Sequence, residues 1–182
     1  WRGKKVIALP SSNDKILNKN YKNENYCLFV SHSPSYNILS YFKNLEFIKA
    51  YSMKESFNII LNVIKKTPII LRLPPLRTNW RDDEYYKPIN NLKIDEHTNN
   101  FYYMAKKAKY LIINHFNTTA LEALSMNKPT LIFSNKKLIE FNKKVKKDII
   151  KLEKAKIFFY DYKNLIKFLK KKNYDLSGWW KE

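Results

Sequence analysis

Short apolar runs alternate along this chain with segments in which apolar residues recur every three or four positions. Lys5–Leu9, Tyr26–Val30, Pro68–Leu73, Tyr110–Ile113 and Ile157–Tyr160 are continuous runs of strand length. A further run, Thr130–Phe133, follows an Asn-Lys-Pro stop, and Leu92–Asp95 has the length of a short strand. Between them lie helical stripes. Ser52 and Glu55 form a capping-box pair ahead of Phe57, Ile60, Leu61 and Ile64. Thr98–Lys107 reads as helix, and another helix opens at Thr118. Lys136–Lys154 carries Leu138, Phe141, Val145, Ile149 and Leu152 on one face, with a break expected near Lys147. Asp161 caps a last helix striped by Tyr162, Leu165, Phe168 and Leu169. The segment Leu76–Asn91 reads as a long polar loop.

Strands alternating with helices of this length require crossover connections, and these build a parallel sheet with helices on both faces. The fold expected is therefore α/β and Rossmann-like, as one domain over residues 1–182, with residues 1–50 the least well assigned. A chain that starts at Trp1 rather than Met is expected of a piece of a longer protein.

Composition sharpens this picture. No apolar run approaches the ~20 residues of a membrane span. The single cysteine, Cys27, excludes an intrachain disulfide and a cysteine-based zinc site; it suits a core position in a cytoplasmic protein. Lys and Arg number 35 against 16 Asp and Glu, a formal net charge of +19. Such a surface favours anionic partners. The densest basic run, Lys136–Lys154, predicts a solvated lysine face. An anionic lipid surface at the inner face of the cell membrane is the next reading, and nucleic acid the least favoured.

Ligands of open parallel sheets bind outside the carboxyl ends of the strands. Three loops qualify. The loop after Val30 brings His32 and Ser33, and His32 has the pKa range of a general base. The loop after Leu73 brings Arg72, Arg77 and Arg81, whose planar forks suit phosphate; Arg81 has Asp82, Asp83 and Glu84 as competing partners. The loop after Ile113 brings His115, Asn117, Thr118 and Thr119, with Glu122 one turn beyond Thr118. A helix mouth there attracts anions, and Glu122 is placed to accept from ribose hydroxyls. Asn117 or Thr118 equally suits a plain helix cap, and spacing does not separate the two readings. The only glycines, Gly3 and Gly178, exclude Gly-rich phosphate loops, and the three histidines lack metal-ligand spacing.

The segments Leu71–Pro75, Asn79-Trp80, Asn117–Leu124 and Asn127–Phe133, with the terminal Gly178-Trp179-Trp180, resemble a bacterial family of transferases from surface-carbohydrate and O-antigen gene clusters. The resemblance covers roughly residues 55 to 182. The chain departs from that pattern at Pro74, where the family has an aromatic residue, and at Asn79, where it has glycine. The Thr-Thr-x-Leu-Glu and Pro-Thr elements are similar to the donor-binding carboxyl-terminal half of GT-B glycosyltransferases. That similarity implies a nucleotide-sugar donor as substrate, no bound cofactor or metal, and a lipid-linked or saccharide acceptor. It makes Thr118 and Thr119 phosphate ligands and Glu122 the ribose contact, with Arg72 across the cleft. The catalytic residues stay unassigned, with His32 and His115 as candidates. Two alternatives stand beside it. One is a sugar-nucleotide epimerase-like enzyme using those two histidines. The other is a non-catalytic basic module that binds anionic lipid or nucleic acid.

Overall fold

In the computed structural model, residues 22–31, 45–74, 82–136 and 139–181 are described. The strand-like run Lys5–Leu9 and the side chains of His32, Ser33, Arg77, Trp80 and Arg81 lie outside them.

Six parallel strands form one sheet: β1 (Cys27–Val30), β2 (Ile69–Arg72), β3 (Lys93–Ile94), β4 (Tyr110–Ile113), β5 (Thr130–Phe133) and β6 (Phe158–Phe159). Their spatial order is β3-β2-β1-β4-β5-β6. The chain builds outward from β1 to β3, then crosses back and builds outward from β4 to β6. The direction therefore reverses between β1 and β4, whose registers pair Cys27 with Tyr110 and Val30 with Ile113. This is a doubly wound, Rossmann-like α/β arrangement.

The apolar runs follow from this position. β4 and β5 are covered on both faces, so every residue of YLII and TLIF is buried. Side chains alternate between two cores. Phe29, Leu71, Ile112 and Leu131 join the core formed with α1 (Leu45–Val63) and α6 (Tyr162–Lys171). Leu28, Leu111, Ile113 and Ile132 join the opposite core, with α3 (Phe101–Lys107), α4 (Thr118–Ser125) and α5 (Lys143–Lys154). Cys27 is fully buried among apolar neighbours, and burial pushes its thiol pKa up.

Four elements differ from the sequence reading. The helix expected to start at Ser52 runs from Leu45, so Ser52 and Glu55 sit inside α1 rather than at its cap. Glu55 is buried and accepts from Asn135 Nδ2 at 2.8 Å, a tertiary contact between residues 80 apart. Within the supposed polar loop lies a short helix, α2 (Asp82–Tyr86). Its Tyr85 and Tyr86 rings pack on Phe57 at centroid distances of 5.5 and 6.5 Å. α3 starts at Phe101 rather than Thr98, because Asn100 caps it by accepting from Tyr103 N at 2.8 Å. α5 starts at Lys143, capped by Asn142, and runs through Lys147 without the expected break.

Candidate functional site

The reversal between β1 and β4 leaves a crevice at the carboxyl ends of the strands, as it does in other doubly wound sheets. Three buried polar residues meet at this reversal. Asn114, directly after β4, donates through Nδ2 to Ser31 Oγ after β1 at 3.2 Å and to Ser56 Oγ of α1 at 3.0 Å. Ser31, Ser56 and Asn114 are 9%, 0% and 6% exposed, so these bonds are made away from water and tie three segments together.

Ser31 also lines a cleft of about 260 Å³. One wall is the end of β2 with Arg72, Leu73 and Pro74. The other is the first turn of α4 with Asn117, Thr119 and Glu122. Ser31, His97 and Phe101 complete the lining. The structure thus brings Arg72, Asn117, Thr119 and Glu122 together across one opening.

The opening of α4 has a simple local cause. Asn117 is extended, at φ −136° and ψ −171°, and its Oδ1 accepts from Ala120 N at 3.2 Å, which caps the helix. The cap and the helix-mouth readings are thus realised in one structure. The N–H groups of Thr118 and Thr119 precede the first acceptor that the helix can offer, so they point toward its mouth. Thr119 and Glu122 lie three residues apart and share the cleft face. Thr118 is exposed and lies outside the lining.

Arg72 is held in place before any ligand arrives. Its Nη1 pairs with Asp95 Oδ2 and donates to the Asn99 carbonyl at 3.1 Å. The Arg72 and Asp95 side chains are 14% and 5% exposed. The other carboxylate oxygen, Asp95 Oδ1, accepts from the backbone N–H of His97 at 3.1 Å, and His97 adopts a left-handed φ of 59°. One buried carboxylate therefore orients both a guanidinium and an imidazole-bearing turn toward the cleft. The Asp95 and Asn99 contacts of the guanidinium both use Nη1, and the fork has Nη2 and Nε as further donors. Asp95 offsets the Arg72 charge, so the pair adds little net charge to this wall of the cleft.

Sequence reasoning missed Asp95 and His97. Asp95 directly follows a weak two-residue strand, and His97 has no partner at a telling spacing; only the β3–α3 connection brings them beside Arg72. His115 is half-buried and is not part of the cleft lining. Among the described residues no group of three His, Cys, Asp or Glu side chains is placed to hold a metal ion.

Two other features lie away from the cleft. Lys128, at the amino end of β5, is buried and donates to Asn23 Oδ1 and the Lys106 carbonyl, both at 2.6 Å. Burial, aided by the Lys106 charge, pushes its pKa down to about 8. The terminal tryptophan pair acts as a clasp. Trp180 Nε1 donates to Asn127 Oδ1 at 2.9 Å, and Trp179 meets Phe168 edge-on at 5.1 Å.

A family profile described as LIC12162 family transferase matches the chain over residues 1–182, so the chain belongs to that family and is a transferase by membership. No curated protein and no solved structure matches it.

Proposed function

We propose that this LIC12162 family transferase is a glycosyltransferase that uses a nucleotide-activated sugar. The nucleotide of the donor sits in the cleft at the sheet reversal. The observation that carries this reading is the meeting of Arg72, Asn117, Thr119 and Glu122 around one opening. The diphosphate lies at the mouth of α4, where the first-turn N–H groups and the Thr119 hydroxyl donate to it. Arg72 faces it from the β2 wall. Glu122, one turn into the helix, accepts from the ribose hydroxyls, and Phe101 offers a ring face for the base.

When the acceptor hydroxyl attacks the sugar, the bond to the diphosphate breaks and negative charge builds on the leaving oxygen. Fixed donors aimed at that oxygen lower the barrier without having to reorganise. Resemblance to enzymes of surface-carbohydrate and O-antigen clusters supports a lipid-linked or saccharide acceptor. The epimerase-like alternative needs two acid/base groups at the sugar. Of its two candidates, His115 is outside the cleft lining and His32 lies outside the described residues.

The test is calorimetric titration with nucleoside diphosphates. Glu122→Ala weakens binding by about 1–3 kcal/mol while the circular dichroism spectrum and melting temperature hold. Unchanged affinity in that variant would remove Glu122 from the site and the ribose assignment with it.

A further inference from the structure

We propose that α5 and the adjoining surface of α4 dock this protein on an anionic phospholipid surface. The proposal rests on three features of the helices themselves and not on the donor reading.

The first is misplaced charge. Lys143, Lys144, Lys146 and Lys147 fall in the first five residues of α5, with no acidic residue in its first turn. A helix amino terminus carries a partial positive charge, so lysines there are unfavourable. Lys143 and Lys147 also face each other one turn apart, as do Lys144 and Lys147 at the shorter spacing, and like charges at these spacings repel. Among the described residues the ion pairing of α5 goes no further than Lys151 with Asp148. An anionic surface laid against this turn relieves the repulsion.

The second is exposed aliphatic surface within the same charge. Lys143, Lys147, Ile150 and Lys154 follow at i, i+4, i+7 and i+11, which is one outward stripe of a helix. Ile150 is 42% exposed in the middle of that stripe. A merely solvated lysine face has no use for it, and neither has a phosphate backbone. At a lipid interface, apolar side chains enter the headgroup boundary while lysine stems lie along it and keep their charges at the phosphates.

The third is position. α4 packs on the same face of the sheet as α5, since Ala120, Ala123 and Ile149 share one core. Leu121 of α4 is 54% exposed, the largest exposure among the large hydrophobic residues described. It precedes Glu122 of the cleft. Docking through this face brings the cleft mouth close to the lipid surface. No helix among the described residues is long and apolar enough to cross a membrane, so this contact lies on the surface.

The test is co-sedimentation of the full chain with phosphatidylcholine vesicles, with and without phosphatidylglycerol, alongside binding to an oligothymidylate. Binding is expected to the anionic vesicles only and to fall as salt rises. Lys143→Gln/Lys147→Gln is expected to weaken it roughly tenfold or more. Ile150→Ser is expected to weaken vesicle binding while leaving oligothymidylate binding unchanged. All these side chains are exposed, and an unchanged melting temperature confirms that each variant is folded. The proposal is overturned by absence of vesicle binding, by equal binding to neutral vesicles, or by vesicle binding that both variants leave intact. Oligothymidylate binding tighter than vesicle binding and indifferent to Ile150→Ser would assign the face to nucleic acid instead.

Discussion

Asn114 donates to Ser31 across the line where the sheet reverses direction, at 3.2 Å and out of contact with water. The residues are 83 positions apart, and Ser56 of α1 joins them at 3.0 Å. A buried amide is costly unless satisfied, so this bond set both fixes and requires the relative placement of β1, β4 and α1. Asn114→Ala leaves two buried hydroxyls without that donor. It is expected to lower stability by about 1–3 kcal/mol in urea denaturation. An unchanged midpoint would show that the amide contributes nothing net.

Asp95 carries a larger share of the site. Removing it leaves the Arg72 guanidinium, 14% exposed, without its carboxylate and the His97 turn without its acceptor. Asp95→Ala is expected to cost roughly 3 kcal/mol, because a charge is stranded in a partly dry environment. Asp95→Ala/Arg72→Met is expected to recover part of that loss, since the stranded charge is then gone. A double variant no more stable than Asp95→Ala alone would show that the ion pair is not the source of the cost.

Lys128 sets a pH dependence with a definite sign. Its folded pKa, about 8, is below that of a free lysine, so between about pH 8 and 10 the unfolded chain binds more protons than the folded one. Lys128 therefore adds stability as pH rises through that window, by at most about 1.4 kcal/mol per unit, while the buried Cys27 thiol, which stays protonated as the unfolded thiol ionises from about pH 9, takes stability away. Above pH 10 the Lys128 contribution is complete and stability falls further. Burial, then the Glu24 charge, push the Tyr26 phenol up to about 12, so the folded chain now retains the proton that the unfolded chain loses. Lys128→Met is expected to remove that rising contribution, so that melting curves taken across pH 8 to 10 lose more stability than those of the native chain. An unchanged pH dependence in the variant would contradict the assignment.

The tryptophan clasp is a local prediction. Trp180→Phe keeps a ring but loses the donor to Asn127, which holds a left-handed φ of 50° at the turn into β5. A loss of about 1 kcal/mol is expected, together with faster hydrogen exchange at the amides of residues 174–181. Exchange no faster than in the native chain would mean that packing of Trp179 on Phe168 holds the tail alone.

Much of the sheet was legible because its strands are buried on both faces and so read as unbroken apolar runs. Tyr110–Ile113 and the Asp161-capped helix coincide with the elements found, and the other shared elements differ mainly at their ends. What escaped depends on contacts distant in sequence. Glu55 has the spacing of a capping residue, yet its tertiary partner is Asn135. α2 is too short to show a period, and its tyrosines matter only once Phe57 is beside them. At the cleft, Arg72, Asn117, Thr119 and Glu122 stood out by residue type and place in loops. Asp95 and His97 did not, because their role comes from a short edge strand that lays them next to Arg72.

The central claim is that the cleft binds one nucleotide selectively. A thermal-shift panel of UDP, GDP, CDP, CMP and dTDP, each at low and high salt, tests it most directly. Saturation at 100 times the dissociation constant stabilises the folded state by about 2.7 kcal/mol, a readily visible shift. The predicted result is stabilisation by one nucleotide that survives high salt and disappears in Glu122→Ala. Uniform shifts by every nucleotide, erased by salt and indifferent to Glu122→Ala, would contradict the account and leave only a polyanion-binding surface.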